Sequence, residues 1–260
     1  MNPTIKPARP SARQAAFQSD YRSKIAADYS GVRHGSIILA IGAIVVAVCI
    51  WRIHGPVRPL EWLIVPIVII AWNLMEWYVH VNFLHKPGNN AVTRALYQRH
   101  TLTHHQFFTH DDARLANSRD LNIVFFPTFA LPGIVVLTAI PAVIAGFVVS
   151  ANAGWLVMTT VVGMYLLFEA MHLCAHLPDN ATVRRIPLVN TMRRHHIAHH
   201  NPQWMMTHNM NFTLPLADWM FGTSDLKRGL IGTVFNGMSE KHVKPTPRRL
   251  REDATPEHSR

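Results

Sequence analysis

Long uncharged stretches alternate with polar stretches along this chain, and their lengths predict membrane-spanning helices. Residues 121–168 contain no Asp, Glu, Lys, Arg or His, whereas one membrane span needs only about 20 apolar residues. The small, polar segment 150–155 divides this stretch, so it predicts two spans joined by a turn. Two further apolar stretches, 35–51 and 61–80, flank a turn at 54–59.

The pattern therefore predicts an all-α integral membrane protein with four transmembrane helices in two hairpins. A membrane domain is expected over 35–238, after a cytosolic N-terminal arm (1–34) that contains a candidate amphipathic helix, and before a disordered basic tail (239–260). A soluble protein with four buried helices is the alternative, but 260 residues would then have to hide a hydrophobic content of 49%. The predicted spans are about 35–52, 61–79, 128–149 and 154–172.

Lys and Arg are concentrated on one predicted side of the membrane. Only Arg52 and Arg58, of 25 basic residues, fall in the connections on the other side. The positive-inside rule puts the basic side, with both termini, in the cytoplasm, and the net charge of +10 fits a surface that faces anionic lipid head groups. Dispersed basic residues without interleaved aromatic residues do not favour a nucleic-acid partner. The C-terminus carries no retrieval motif for the endoplasmic reticulum, which favours a bacterial inner membrane.

Four blocks contain ten of the 17 histidines of the chain. The first block follows the second predicted span, the third ends the fourth span, and the other two lie in segments assigned to the cytoplasm. All four are therefore expected to meet at one face of the membrane. The blocks read HVNFLH (80–85), HTLTHH (100–105), HLCAH (172–176) and HIAHH (196–200).

The spacing within the blocks is suited to metal binding. Residues three or four apart share one face of a helix, so such histidines can bind one ion or two adjacent ions. Three sets have this spacing: His172 with His176, His100 with His104, and His196 with His199 and His200.

His80 and His85 are five residues apart, which is awkward on a straight α-helix. Pro87 and Gly88 follow directly and end the helix. We therefore expect His85 to lie on an unwound turn.

Ten imidazoles are too many for one ion. Imidazole nitrogens bind zinc, copper, iron and nickel, and a four-coordinate zinc site would use at most four of them. Two ions with about five nitrogens each would use all ten. Without a metal, neutral imidazoles would have no evident partners, and protonated ones would repel one another.

Two carboxylates, Glu76 and Glu169, lie one helical turn before His80 and His172. Ionisable residues within spans are costly and usually functional. We expect each carboxylate to accept the N–H of a ligating imidazole and so to fix its tautomer. The alternative is a carboxylate at the head-group boundary, in contact with water, Lys or Arg. Cys174, inside the third block, is expected to be a packed thiol.

The four blocks, in this order, resemble the fatty acid hydroxylase and sterol desaturase superfamily of membrane oxygenases. The resemblance covers roughly residues 61–223 and also includes RDLNIVFFP (119–127) and NMNFTLPLADWMFGT (209–223). It departs from the pattern in the second block, where three residues separate His100 from His104 and many members have two. Membrane desaturases, alkane hydroxylases and carotenoid hydroxylases share the histidine pattern alone.

The resemblance implies four spans with a cytosolic helical cap that holds two iron ions, with zinc as an alternative in an isolated protein. It implies O2-dependent hydroxylation of a C–H bond in a lipid or fatty acyl substrate, with electrons from a separate ferredoxin or cytochrome and its reductase. His208 lies near the blocks and is assigned to the surroundings of the ligands or to the substrate channel. The implied metal ligands are His80, His85, His100, His104, His105, His172, His176, His196, His199 and His200.

Several interpretations remain open at the level of the sequence. The same metal centre could desaturate its substrate by removing a second hydrogen, and the substrate could be a fatty acid, a ceramide, a sterol, a carotenoid or a polar lipid. A different class of function is also possible at this level: a membrane protein that binds zinc without redox chemistry. Metal identity and oxygen consumption would distinguish this last interpretation from an oxygenase.

Overall fold

The computed structural model describes residues 10–245, and this part of the chain is helical, without a named strand. Four helices are long and apolar enough to cross a membrane, which confirms the expected number of spans. They cover Gly31–Trp51, Glu61–Leu84, Ala130–Val148 and Ala151–His176. The outermost parts of the predicted arm (1–9) and tail (246–260) lie outside the described residues.

The α-helices are α1 (Ala12–Lys24), α2 (Gly31–Trp51), α3 (Ile64–Val79), α4 (Ala91–Tyr97), α5 (His105–Phe107), α6 (Leu121–Val124), α7 (Ala130–Val148), α8 (Ala151–His176), α9 (Ala181–Arg185), α10 (Val189–His199), α11 (Leu216–Phe221) and α12 (Leu230–Phe235). Short 3-10 turns lie at Glu61–Leu63 and Ser118–Asp120. Two π-helical turns, His80–Leu84 and Gln98–His104, extend α3 and α4.

Two serines set where α2 and α8 begin. The Ser30 side chain accepts a hydrogen bond from the amide of Arg33, and the Ser150 side chain accepts one from the amide of Ala153. Such N-caps satisfy amides that have no partner inside the helix. Both helices therefore start a few residues before the predicted spans, because hydropathy detects the apolar residues and not the cap.

Helix α8 is the central helix of the bundle. In its most apolar window 56% of the residues are buried, compared with 11–17% for the other three spans. It packs against α2, α3, α7 and α10. Large apolar side chains such as Ile44, Leu137 and Phe147 are exposed on α2 and α7, as expected for surfaces that lipid tails cover.

Both ends of the described chain are more ordered than the composition suggested. Helix α1 packs on the protein, where the side-chain amides of Gln14 and Gln18 donate to the carbonyl of Phe107. Residues 239–245 belong to the fold: Val243 forms an antiparallel bridge with Leu226. Backbone pairing thus ties part of the segment 239–245, whose polar composition indicated disorder, to the rest of the described chain.

Close packing of α7 on α8 generates a stability prediction. A Cβ atom added at Gly154 would lie 2.6 Å from the carbonyl oxygen of Ala142. We expect Gly154→Ala to lower the free energy of unfolding by about 1–3 kcal/mol, because α7 must move away. Gly163→Ala is the control, since a Cβ atom there meets nothing within 4 Å. Thermal unfolding of the purified variants in detergent tests this, and equal melting temperatures would contradict the packing argument.

Candidate metal centre

The ten histidines of the four blocks are all buried and lie together, which confirms the expected histidine cluster. They divide into two groups, and within each group the candidate ligand atoms lie within 4.8 Å of one another. Group one contains His80, His85, His100, His105 and His199, and group two contains His104, His172, His176 and His196. His200 adjoins group two, because its Nε2 lies 3.1 Å from Nε2 of His196.

The two π-helical turns explain how histidines five residues apart come together. The amide of His85 donates to the carbonyl of His80 over 3.1 Å, and the amide of His105 donates to the carbonyl of His100. A π-turn inserts one extra residue, so positions i and i+5 meet on one face. The expected unwound turn at His85 is therefore a π-turn, and the Nε2 atoms of both pairs lie 3.1 Å apart.

Two blocks divide their histidines between the groups. In the π-turn of the second block, His100 lies in group one and His104 in group two, although they are four residues apart. In α10, which is a regular α-helix, His199 belongs to group one and His196 to group two. These two blocks join the groups into one cluster.

Hydrogen bonds at Nδ1 define the tautomers of several histidines. A carbonyl oxygen can only accept, so an imidazole nitrogen facing one must carry the proton, and the other nitrogen of the neutral ring then holds a free lone pair. Four histidines donate in this way: His80 to Met210 O (2.6 Å), His176 to Ala113 O (2.7 Å), His199 to His208 O (2.8 Å) and His200 to Phe108 O (2.7 Å).

His85 has the same tautomer for a different reason. The hydroxyl of Thr101 donates to the carbonyl of Leu84 over 2.6 Å. Its oxygen is then free to accept from Nδ1 of His85, 3.1 Å away. His85 therefore also carries its proton on Nδ1 and directs an unprotonated Nε2 into group one.

The unprotonated Nε2 atoms face one another at short range. Lone pairs that meet in this way repel one another unless a cation lies between them. The arrangement is thus compatible with a cation between these atoms. The distances between Nε2 atoms are 3.1 Å for His80 and His85, 3.0 Å for His85 and His199, and 3.0 Å for His176 and His196.

The spacing of these nitrogens fits metal coordination with nearly right angles. Two nitrogens at about 2.1 Å from one ion lie about 3.0 Å apart at 90° and about 3.4 Å apart at the tetrahedral angle. His80 with His100 and His100 with His105 have Nε2 distances of 2.9 and 3.1 Å, near the right-angle value, and His104 with His172, at 3.3 Å, is near the tetrahedral value. Both groups therefore have nitrogen spacings that are compatible with a metal ion.

The carboxylate contacts differ from those expected from the sequence. Glu76 accepts from the amides of Phe212 and Thr213 and, over 2.8 Å, from the hydroxyl of Thr213. Glu76 therefore forms its hydrogen bonds with residues 212–213 and not with an imidazole. Sequence reasoning failed here because the backbone carbonyl of Met210 takes the Nδ1 proton of His80 that Glu76 was expected to accept.

Glu169 is also engaged elsewhere. It accepts from the hydroxyl of Tyr165 over 2.6 Å and from the amide of Phe126 over 3.2 Å. His208, assigned above to the surroundings of the ligands, contributes its backbone carbonyl, which accepts from Nδ1 of His199. Its ring packs on Trp204, outside the cage.

Sequence reasoning missed the role of Asp218. This fully buried carboxylate accepts from the amides of Met210 and Asn211 over 3.0 and 2.8 Å. It thereby positions the Met210 carbonyl that accepts from His80. The available signal was a single acidic residue inside the apolar segment LPLADWMF (214–221).

Phe212 covers the centre between the two groups. Its ring centroid lies 4.9 Å from that of His80 in group one and 4.6 Å from that of His196 in group two. Phe168 packs on the other side of Phe212, at 4.9 Å. This apolar lining excludes water and strengthens the electrostatic attraction between ligands and ions.

A small cavity of about 20 Å³ reaches both groups. It is lined by His100 of group one and by His104 and His172 of group two. Its volume suits about one molecule of the size of water or O2.

Comparison of the chain with protein-family models, with curated proteins and with solved structures gives no match. Any statement about function therefore depends on the site and on the resemblance of the sequence motifs.

The two groups predict separable metal binding. We expect the wild type to bind two ions per chain, and His80→Ala with His199→Ala to remove the ion of group one, because both ligands belong to that group. Elemental analysis of the protein purified in detergent measures this. His54→Ala, outside the four blocks, should leave the metal content unchanged. Equal metal content in all three proteins would contradict the assignment.

Burial makes the stability of the metal-free protein depend on pH. Loss of hydration lowers the pKa of His199 to about 4 and that of His85 to about 2. Unfolded histidine has a pKa of about 6.5. Between these values the unfolded chain binds more protons than the folded chain, so the free energy of unfolding falls as the pH falls below about 6.5.

We expect the free energy of unfolding to fall by about 1 kcal/mol per buried histidine for each pH unit below about 6.5. Above about pH 6.5, these histidines should not change the free energy of unfolding. The melting temperature of chelator-treated protein, measured between about pH 7 and pH 5, tests the prediction. A melting temperature that is constant or rises toward pH 5 would contradict it.

Proposed function

We propose that this protein is an O2-dependent diiron membrane oxygenase that hydroxylates a C–H bond of a lipid or fatty acyl substrate. The observation that carries the proposal is the convergence of unprotonated Nε2 atoms on two adjacent points in a buried cage. The histidine motifs resemble those of the fatty acid hydroxylase and sterol desaturase superfamily, which supports the same conclusion. The ten histidines of the four blocks hold the metals.

Iron is preferred to zinc because of the number and spacing of the nitrogens. Zinc in proteins is usually four-coordinate and tetrahedral. Group one alone offers five histidines, and its neighbouring nitrogens have the spacing of right-angled coordination. Two iron ions, when bound, would supply O2 activation and the removal of a hydrogen atom from an unactivated C–H bond.

The protein contributes binding, orientation and exclusion of water. Thr101 and backbone carbonyls hold the imidazoles in the tautomers that ligation needs. Phe212 and Phe168 keep the space beside the ligands apolar, which suits an acyl chain and keeps water from competing with it. The cavity beside His100 offers room for O2.

The membrane placement supports a lipid substrate. We infer four spans in two hairpins across a bacterial inner membrane. The histidine cage then lies in a cytosolic helical cap, and both termini lie on the cytoplasmic side. The connection after α2 contacts the first turn of α8, which follows the connection after α7, through His54 and Asn152, at the helix ends remote from the cage. Those connections carry few basic residues, in agreement with the positive-inside rule.

Each turnover needs two electrons from outside this chain. The sequence carries no flavin or nicotinamide fingerprint and no haem attachment motif. A separate ferredoxin or cytochrome with its reductase is therefore the proposed donor.

The proposal predicts a gain of oxygen in cellular lipids. Cells expressing the wild type with a matched redox partner should contain lipid species that have gained one oxygen atom, and His199→Ala should abolish them, because His199 is a ligand of group one. Untargeted lipid mass spectrometry measures this, and immunoblots of membrane fractions verify that the variant inserts. His54→Ala is the control expected to retain the product.

Other outcomes would replace the proposal. Species that have lost two hydrogens, in place of a gained oxygen, would identify a desaturase with the same centre. Full product formation by His199→Ala would refute the role of the cage. Zinc in both groups after growth in iron-replete medium, with no oxygen consumption, would identify a non-redox zinc protein.

A further inference from the structure

A second cavity, of about 380 Å³, lies between the start of α2 and the segment that leads into α7. It is separate from the space inside the cage, although Arg99 lines both cavities. We call it the interfacial cavity. Its lining residues from the first part of the chain are Tyr29, Ser30, Arg33, His34 and Ile37, and those from the later part are Arg99, Asn122, Pro127, Thr128 and Phe129.

Two guanidinium groups converge on the interfacial cavity from different elements. Arg33 belongs to the first turn of α2, and Arg99 belongs to the π-turn of the second histidine block. No acidic residue lines the cavity. The carboxylate of Asp28 lies 3.8 Å from Arg33 and is largely exposed, so it offsets little of the positive charge.

The guanidinium of Arg99 is held in place before any ligand arrives. Its Nη2 donates to the carbonyls of Asn122 and Phe125 over 2.8 and 2.6 Å. A fixed guanidinium loses little conformational entropy on binding an anion. Arg99 is therefore a preorganised group in the cavity.

Neutral hydrogen-bonding groups complete the lining. Ser30 accepts from the amide of Arg33, which leaves its own hydroxyl hydrogen free to donate. Nε2 of His34 lies 2.9 Å from the carbonyl of Phe126 and so must donate to it, and Nδ1 then accepts from the hydroxyl of Tyr29 over 3.0 Å. His34 is thus neutral in this arrangement, and the two arginines account for the charge of the cavity.

The cavity lies at the depth where lipid head groups are expected. Two of the spanning helices begin beside it, α2 at Gly31 and α7 at Ala130. Ile37 and Phe129, which line it, expose 41% and 74% of their surfaces and offer an apolar rim beside the two helix starts. Basic pockets between spanning helices on the cytoplasmic side bind anionic head groups.

We propose that the interfacial cavity binds the anionic head group of a membrane amphiphile, with its phosphate or carboxylate between Arg33 and Arg99 and its tail along Ile37 and Phe129. The ligand is an anionic lipid of the inner leaflet, such as one with a phosphoglycerol head group. This binding does not depend on the proposed oxygenase activity, because neither Arg33 nor Arg99 belongs to the two histidine groups.

Native mass spectrometry of the full chain tests the proposal. The protein is released from detergent micelles that contain equal amounts of phosphatidylglycerol and phosphatidylcholine with identical acyl chains. We expect the wild type to retain phosphatidylglycerol in preference to phosphatidylcholine. Arg33→Gln should reduce this preference about fivefold, the effect of one basic residue near a head group.

Matched variants and a competitor make the result decisive. Arg52→Gln, at the opposite end of α2, should retain the wild-type preference. Arg33 is an exposed side chain, so its replacement should leave the melting temperature unchanged. Arg99→Gln tests the contribution of the second, buried arginine of the cavity to the same lipid preference. Equal retention of both lipids, or equal effects of Arg33→Gln and Arg52→Gln, would overturn the proposal. Displacement of phosphatidylglycerol by an equimolar amount of inorganic phosphate would overturn the assignment to a membrane amphiphile.

Discussion

The electrostatic repulsion between unprotonated imidazole nitrogens is the constraint on which this structure depends. Nε2 atoms of neighbouring histidines face one another at about hydrogen-bond distance. Five of the ten histidines keep their proton on Nδ1, where a backbone carbonyl or Thr101 accepts it. The segments that supply these acceptors come from distant parts of the sequence. The fold around the cage therefore holds these nitrogens in a configuration that bound cations would stabilise.

Two π-turns allow helical segments to bring these nitrogen atoms together. A regular α-helix would put His100 and His104 on one ion, and it would turn His85 away from His80. The π-turns at His80–Leu84 and Gln98–His104 instead bring together the pairs five residues apart and separate the pair four residues apart. Because π-turns cost helical hydrogen-bond geometry, their presence in both early blocks is most simply explained by ligand placement.

The buried carboxylates Glu76 and Asp218 stabilise the scaffold of the cage and form no hydrogen bond to the imidazoles of the four blocks. Glu76 and Asp218 together accept from the backbone amides of residues 210–213. This short segment carries the Met210 carbonyl that orients His80, and the Phe212 ring that covers both groups. Glu76, an ionisable residue within a candidate span, thus acts on the candidate metal centre through one intervening backbone segment.

The sequence by itself determined the number of spans and the presence of a histidine cluster, because hydropathy over a span and the composition of the four blocks are properties of neighbouring residues. The tertiary structure decided how the cluster is divided: His104 joins His172 from α8, and His199 joins His85. It also decided that Glu76 bonds to Phe212 and Thr213, and that residues 239–245 are folded. These contacts join residues far apart in the chain, and their geometry depends on π-turns and backbone carbonyls, which no local pattern of side chains encodes.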